Sequence, residues 1–258
     1  MPIILNDRFT GISEPEVKTY IDAVEQADGQ LIEYEVANAI NEFVRGCKND
    51  GIWDAIKASC ILAGARTLDG ALVPLRGAAP TEFSFVSADY DRKTGLIGAS
   101  GKYIDSNRSN SADPQNSNHM AIQITSAMSG VAVMIGSSTT NTGTNNIGRT
   151  TGPTLLYRSR NSTNADTTYA GGVVAGFYGI SRDNSENYVL ARTFVGQPNS
   201  FSVSTITQTS QTPDSANIVV LQNTETRIRF YSIGESLNLT LLNTRVTTLM
   251  NTFSSVIP

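Results

Sequence analysis

The sequence predicts a mainly β protein, an antiparallel sandwich or barrel with helices at both ends, and three observations support this. Beyond residue 80, ten short runs rich in β-branched and aromatic residues follow one another with no helical pattern between them. The text separating them is dense in Ser, Thr, Asn and Gly, the residues of turns. Helical periodicity is confined to residues 13–65 and 238–253. Short strands without intervening helices favour an antiparallel arrangement over a parallel α/β sheet.

Each element has its own signal. Residues 1–12 read as an extended arm, because Ile3, Ile4 and Leu5 are apolar without helical spacing; such an arm is either frayed or docked on a neighbouring subunit. Ser13 and Glu16 have capping-box spacing, and Val17, Tyr20, Ile21 and Val24 then recur at helical intervals up to Asp28-Gly29. A second helix spans about 33–48, with Val36, Ile40, Phe43, Val44 and Cys47 on one face and Asn49-Asp50-Gly51 as its stop. A third, shorter helix is expected to carry Trp53, Ile56 and Cys60 before Gly64. Strands are expected at 82–87, 102–105, 120–127, 131–137, 154–160, 172–181, 187–195, 201–207, 216–222 and 227–234. A last helix over 238–253 aligns Leu239, Leu242, Val246, Leu249, Met250 and Phe253 and closes the fold. The organisation expected is an arm (1–12), a helical segment (13–65) and a β domain (66–258).

Composition narrows the function. The chain has 258 residues, 40% hydrophobic and 16% charged, which is enough apolar material for a core. Residues 1–60 carry 11 acidic and 5 basic residues, and the remainder 12 and 14, for a net charge of −4. An acidic chain is poorly suited to gripping phosphates, so no nucleic-acid partner is expected. No apolar run approaches the ~20 residues needed to cross a bilayer, so no membrane insertion is expected. The N-terminus shows no leader pattern. With only Cys47 and Cys60 in a chain of this size, reduced buried thiols are expected rather than a disulfide.

The search for chemistry is mostly negative. His119 is the one histidine, which leaves no Ser-His-Asp relay or Cys-His pair unless it serves, and its place before the run Met120-Ala-Ile-Gln-Ile reads as a strand or core position. No P-loop, H-E-x-x-H or G-x-S-x-G pattern occurs, and no cofactor or metal is expected. A glycosidase needs two carboxylates across a cleft, yet Glu82, Asp89, Asp91, Asp105, Glu225 and Glu235 form no cluster in sequence and read as loop caps and solvated charges. Two polar stretches, 105–118 and 137–152, read as long loop tips able to meet a partner. Their candidate residues are Asp105, Asn107, Arg108, Asn110, Asp113, Asn116 and Asn118 on the first, and Asn141, Asn145 and Asn146 on the second. The first stretch is rich in oxygen donors, but its spacing matches no EF-hand loop. For stacking on sugars the sequence offers Tyr157, Tyr169, Phe177, Tyr178, Tyr188 and Tyr231, about half of which alternation should turn into the core.

Five stretches together resemble a known group: 51–75 (GIWDAIKASCILAGARTLDGALVPL), 91–96 (DRKTGL), 102–105 (KYID), 176–182 (GFYGISR) and 229–237 (RFYSIGESL) with a helix after it. They look like the concanavalin A-like, laminin G-like modules of bacteriophage virion proteins, notably those of cyanophages, over residue 20 to the C-terminus. The resemblance implies a two-sheet jelly-roll sandwich, assembled in the host cytoplasm and carried on the particle, and it supplies no catalytic residue. The expectation is therefore a non-enzymatic virion protein, either head decoration or cement or a tail-fibre or receptor-binding subunit. Its expected partners are other virion proteins, further copies of itself and a host-surface glycan. A carbohydrate-binding lectin-like module and a polysaccharide depolymerase are the alternatives.

Overall fold

The computed structural model describes residues 10–128, 130–137, 142–150, 154–163, 165–168, 173–193 and 201–258. Among the described residues three long helices, α1 (Pro15–Asp28), α2 (Tyr34–Asn49) and α4 (Leu239–Val256), and the single turn α3 (Leu68–Ala71) accompany sixteen strands. The first eight are β1 (Ile56–Ile61), β2 (Pro74–Arg76), β3 (Thr81–Phe83), β4 (Tyr90–Asp91), β5 (Gly95–Ile97), β6 (Tyr103–Ser109), β7 (Asn118–Ile124) and β8 (Ala132–Gly136). The others are β9 (Thr144–Arg149), β10 (Thr154–Asn161), β11 (Ala165–Thr168), β12 (Gly176–Arg182), β13 (Asn187–Thr193), β14 (Phe201–Thr207), β15 (Asn217–Gln222) and β16 (Arg227–Gly234).

The strands form two antiparallel sheets. One has nine strands, in the order β14-β13-β12-β7-β16-β1-β2 with β5 paired to β16 and β4 to β5; the other has seven, in the order β11-β10-β9-β8-β15-β6-β3. Between them lies an apolar core built from Met120, Ile122, Tyr178, Ile180 and Tyr231 on one side and Met134, Ile147, Leu155, Tyr157 and Val220 on the other. The protein is thus the β-sandwich expected, consistent with a jelly roll.

The helices make a third layer. Val17 and Ile21 of α1, Ile40 and Phe43 of α2, and Leu242, Val246 and Phe253 of α4 pack on the back of the nine-stranded sheet against Ala121, Phe177 and Phe230. Phe43 meets Phe230 edge-on, with ring centroids 5.7 Å apart. Strand β7 is therefore buried along its whole length, one face in each core. Gly179 lets α4 approach, since a Cβ there would meet Leu239 at 2.9 Å.

The segment expected as a third helix is instead β1, hydrogen-bonded between β16 and β2 after a single 3₁₀ turn over Trp53–Ala55. Ile56 and Ile61 face the helical layer, whereas Ala58 and Cys60 face the sandwich core. A short strand apolar on both sides has no period to separate it from a helix. The capping box also fails. Glu14 is the N-cap of α1 and makes no side-chain cap, while Asn41 Oδ1 of α2 accepts the backbone N–H groups of Ser13 (3.0 Å) and Glu14 (3.1 Å). The arm residues Ile3, Ile4 and Leu5 lie outside the described residues.

Both cysteines are free, buried thiols. Burial pushes each up to about 12, so neither forms a thiolate near neutral pH.

Candidate functional site

The polar residues singled out in the sequence converge at one end of the sandwich. Strands β6, β10 and β12 end there, and β7, β9 and β15 begin there. The two polar stretches are not two free loop tips. Asp105, Asn107 and Arg108 belong to β6, and Asn145 and Asn146 are buried in β9; Asn141 lies outside the described residues. Asn- and Thr-rich text reads as turn because these side chains compete for backbone groups, but here they are buried against one another in strands.

The two stretches are stapled together. Asn110 donates through Nδ2 to the Gly143 carbonyl (2.8 Å) and to Asp214 Oδ1 (3.3 Å). Asn145 Nδ2 donates to Asn110 Oδ1 (2.8 Å) and Asn118 Oδ1 (3.2 Å), and Ser159 Oγ donates to the latter at 3.3 Å. Arg108 grips Asp113 with both Nε (3.1 Å) and Nη2 (2.5 Å). Of the predicted partner residues, Asn110, Asp113, Asn118, Asn145 and Asn146 are buried, Asp105 and Arg108 half-buried, and Asn107 and Asn116 exposed.

Two arginines anchor this end. Arg160 sits at a bulge in β10 with φ 54°, which turns it inward, and its guanidinium donates to the carbonyls of Asn110, Asp113 and Pro114. Burial lowers it to about 10, so it stays cationic at neutral pH. Arg182, fully buried and 5.2 Å from the Tyr188 ring, donates to the carbonyls of Ser159 (2.9 Å), Asn184 (3.2 Å), Ser185 (3.4 Å), Asn187 (3.0 Å) and Gln208 (2.9 Å). Both cations are committed to loop backbone.

His119 lies at the same end, under the helical layer and fully buried. Its Nδ1 is 2.5 Å from the Glu235 carbonyl and its Nε2 is 2.7 Å from Ser232 Oγ. The carbonyl can only accept, so Nδ1 carries the proton and Nε2 accepts from the serine hydroxyl. Burial pulls the imidazole down from 6.5 to about 4. Because the folded value lies below the unfolded one, the unfolded chain takes up the proton first as pH falls. The stability contributed is complete above pH 6.5 and is lost between 6.5 and about 4. Its size is on the order of 3 kcal/mol. Denaturation of the wild type and His119→Asn across this window checks this, with a shallower loss of stability expected in the variant.

Four of the candidate carboxylates are engaged with partners of their own. Asp89 pairs with Lys102 (2.5 Å), Asp91 caps the β4–β5 turn through Thr94, Glu235 pairs with Lys57 (2.9 Å) and Glu82 accepts the Phe85 N–H (3.0 Å). Among the described residues, no three His, Cys, Asp or Glu side chains group as a metal site.

The aromatic residues expected at a sugar site are not at the surface. Tyr157, Phe177, Tyr178, Tyr188 and Tyr231 are all buried, and Tyr169 lies outside the described residues. Alternation should have exposed about half, but four of these five lie in the nine-stranded sheet, which is covered on both faces. A stacked aromatic pair that the sequence reading missed does reach the surface, exposed Phe83 of β3 and half-buried Tyr103 of β6. They sit directly opposite each other with rings parallel to within 11° and centroids 4.2 Å apart. The signal was present in the alternation at 103–107: Ile104 and Ser106 are buried, which turns Tyr103, Asp105 and Asn107 outward.

No family model and no curated protein sequence matches the chain. Among solved structures it is similar to "HCR/D-Sa-GBL1/C" (TM-score 0.49, 14% identity, 78% of this chain and 52% of that one). It is also similar to a mutant Trypanosoma rangeli sialidase displaying trans-sialidase activity (0.45, 10%, 84% and 39%). A third is a GH54 α-L-arabinofuranosidase (0.44, 9%, 61% and 40%). The chain thus spans about two fifths to half the length of these proteins.

Proposed function

We propose that the chain is a non-enzymatic structural protein of a bacteriophage particle, displayed on its surface as head decoration or cement or as a tail-fibre or receptor-binding subunit. One observation carries this reading: the residues that bear the resemblance to phage virion modules build the joint between the helical layer and the sandwich. In the last of those stretches, Gly234 passes so close to the Ala55 carbonyl that a Cβ would sit 2.0 Å from it, and the Glu235 N–H donates to that carbonyl at 3.0 Å. The N–H groups of Ser236 and Leu237 donate to Ser117 Oγ (3.1 Å) and Ser181 Oγ (3.0 Å). In another, Arg92 reaches across to Glu33 at the start of α2 (3.0 and 2.6 Å) and to the Gly64 carbonyl (2.8 Å). Arg92 holds the Glu33 carboxyl below the usual carboxylate range.

In this chain the stretches that carry the resemblance thus serve to fix helices to a sheet. The chemistry of the polar end agrees, since His119, Arg160 and Arg182 are occupied in holding loops. A general base must reach a substrate proton within hydrogen-bond distance, and His119 is enclosed. In this reading the outer face of the seven-stranded sheet and the polar end face outward, and other virion proteins and copies of the chain are its partners. Copurification with gradient-purified particles in fixed stoichiometry is the expected result of protein quantification; a chain left in the soluble fraction would refute the reading.

A further inference from the structure

We propose that Phe83 and Tyr103, with Asp105 and Asn107 farther along β6, form a binding site for a pyranose unit of a glycan on the outer face of the seven-stranded sheet. The inference deepens the display reading by naming what the displayed surface meets.

The placement comes from register. Phe83 faces Tyr103 across the β3–β6 pair, and two residues along the same strands Thr81 faces Asp105. On the other side of β6, Asp105 faces Val219 of β15. All of these share the face turned away from the apolar core. Phe83 is 38% exposed although its ring is stacked on Tyr103, so an apolar ring surface is held open to solvent at a fixed orientation. A large exposed aromatic that is already immobilised loses little further entropy when a flat ligand stacks on it.

Polar groups lie farther along the same face of β6. Asp105 accepts the Asn107 N–H (2.7 Å) through Oδ1 and Asn217 Nδ2 (3.1 Å) through Oδ2, which fixes the carboxylate while leaving lone pairs for further donors. Asn107, in the left-handed region with φ 54°, is exposed and anchored by its Nδ2 to Thr81 Oγ1 (2.9 Å) and the Ala79 carbonyl (2.8 Å). Its Oδ1 remains free to accept.

Ring surface in line with fixed acceptors suits a ligand with an apolar C–H face and a rim of hydroxyl donors, which describes a hexopyranose. A nucleic-acid base would also stack, but its phosphates would approach Asp105 on a chain of net charge −4. A second copy is disfavoured by size, because two rings fall far short of the roughly 1,200 Å² of a stable interface. We therefore commit to a glucose- or galactose-configured pyranose.

The test is calorimetric titration of the full chain with cellotetraose, maltotetraose and β1,4-galactotetraose, each to about 10 mM. Saturable binding of at least one is expected at a Kd of about 1 mM or tighter. Phe83→Ala and Tyr103→Ala should each weaken it about tenfold, and Phe83→Trp should retain it. Phe83→Ala lies on a three-residue edge strand and should remain folded at the assay temperature by circular dichroism, so its loss of binding cannot be ascribed to misfolding. Absence of saturable binding to all three sugars overturns the proposal, as does binding that survives both alanine substitutions. If the wild type instead forms a dimer that Phe83→Ala dissolves, with no sugar bound, a second copy occupies the patch and the proposal fails. Sugar binding by a chain that is absent from particles would leave this site standing and remove the particle role alone.

Discussion

Replacing Arg182 by methionine is expected to destabilise the protein by about 3–5 kcal/mol, measured as a shift in the urea unfolding midpoint at constant slope. The guanidinium is fully buried and gathers five carbonyls from β10, the 183–187 turn and the segment after β14. Methionine fills similar volume but donates nothing, so the carbonyl of buried Ser159 and those of the surrounding loops lose their partner. Lysine should not rescue it, since one ammonium cannot span carbonyls reached by a planar fork. A loss below about 1 kcal/mol would mean that those loops satisfy themselves without the arginine.

Phe253→Ala should cost a comparable amount, about 3–5 kcal/mol, through a cavity under the helical layer. Phe253 is fully buried on α4 and packs so close to Gly64 that a Cβ there would meet its ring at 2.8 Å. That contact joins the last helix to the turn after β1. Asn251→Ala, exposed two residues earlier, should change stability by less than about 0.5 kcal/mol. Equal effects of the two substitutions would show that α4 is not packed as described.

Much of the architecture was legible because it rests on periodicity. The stripes of α1, α2 and α4 were visible, and Val17, Ile40 and Leu242 are buried as their spacing demanded. Strands β12 to β16 were bounded by clear turn text and fall within a few residues of their expected limits. What was not legible depends on long-range partners. Strand β1 carries apolar residues on both faces only because a helical layer covers the back of its sheet. Strand β9 begins with Thr144-Asn145-Asn146, a turn-like run that becomes a strand because Asn110, Asn118 and Arg158 meet it from elsewhere in the chain. The cap on α1 comes from Asn41, a residue that no local motif could have indicated.

The candidate site followed the same division. The polar residues at 105–118 and 137–152 read as loop tips able to meet a partner, whereas the structure brings many of them together at one end. At that end their chemistry is mutual satisfaction, and the open aromatic surface belongs to Phe83 and Tyr103, which lie in two expected strands but were not among the aromatic residues singled out. Phe83 ends a three-residue edge strand, too short to show an alternation of its own.

Quantitative mass spectrometry of gradient-purified phage particles, with gold-labelled antibody against the folded chain on intact particles, tests the central claim most directly. The expected result is a constant copy number per particle across preparations and label on the outside of the head or tail. A chain that is absent from purified particles, or present only at trace and variable levels without surface label, would contradict it.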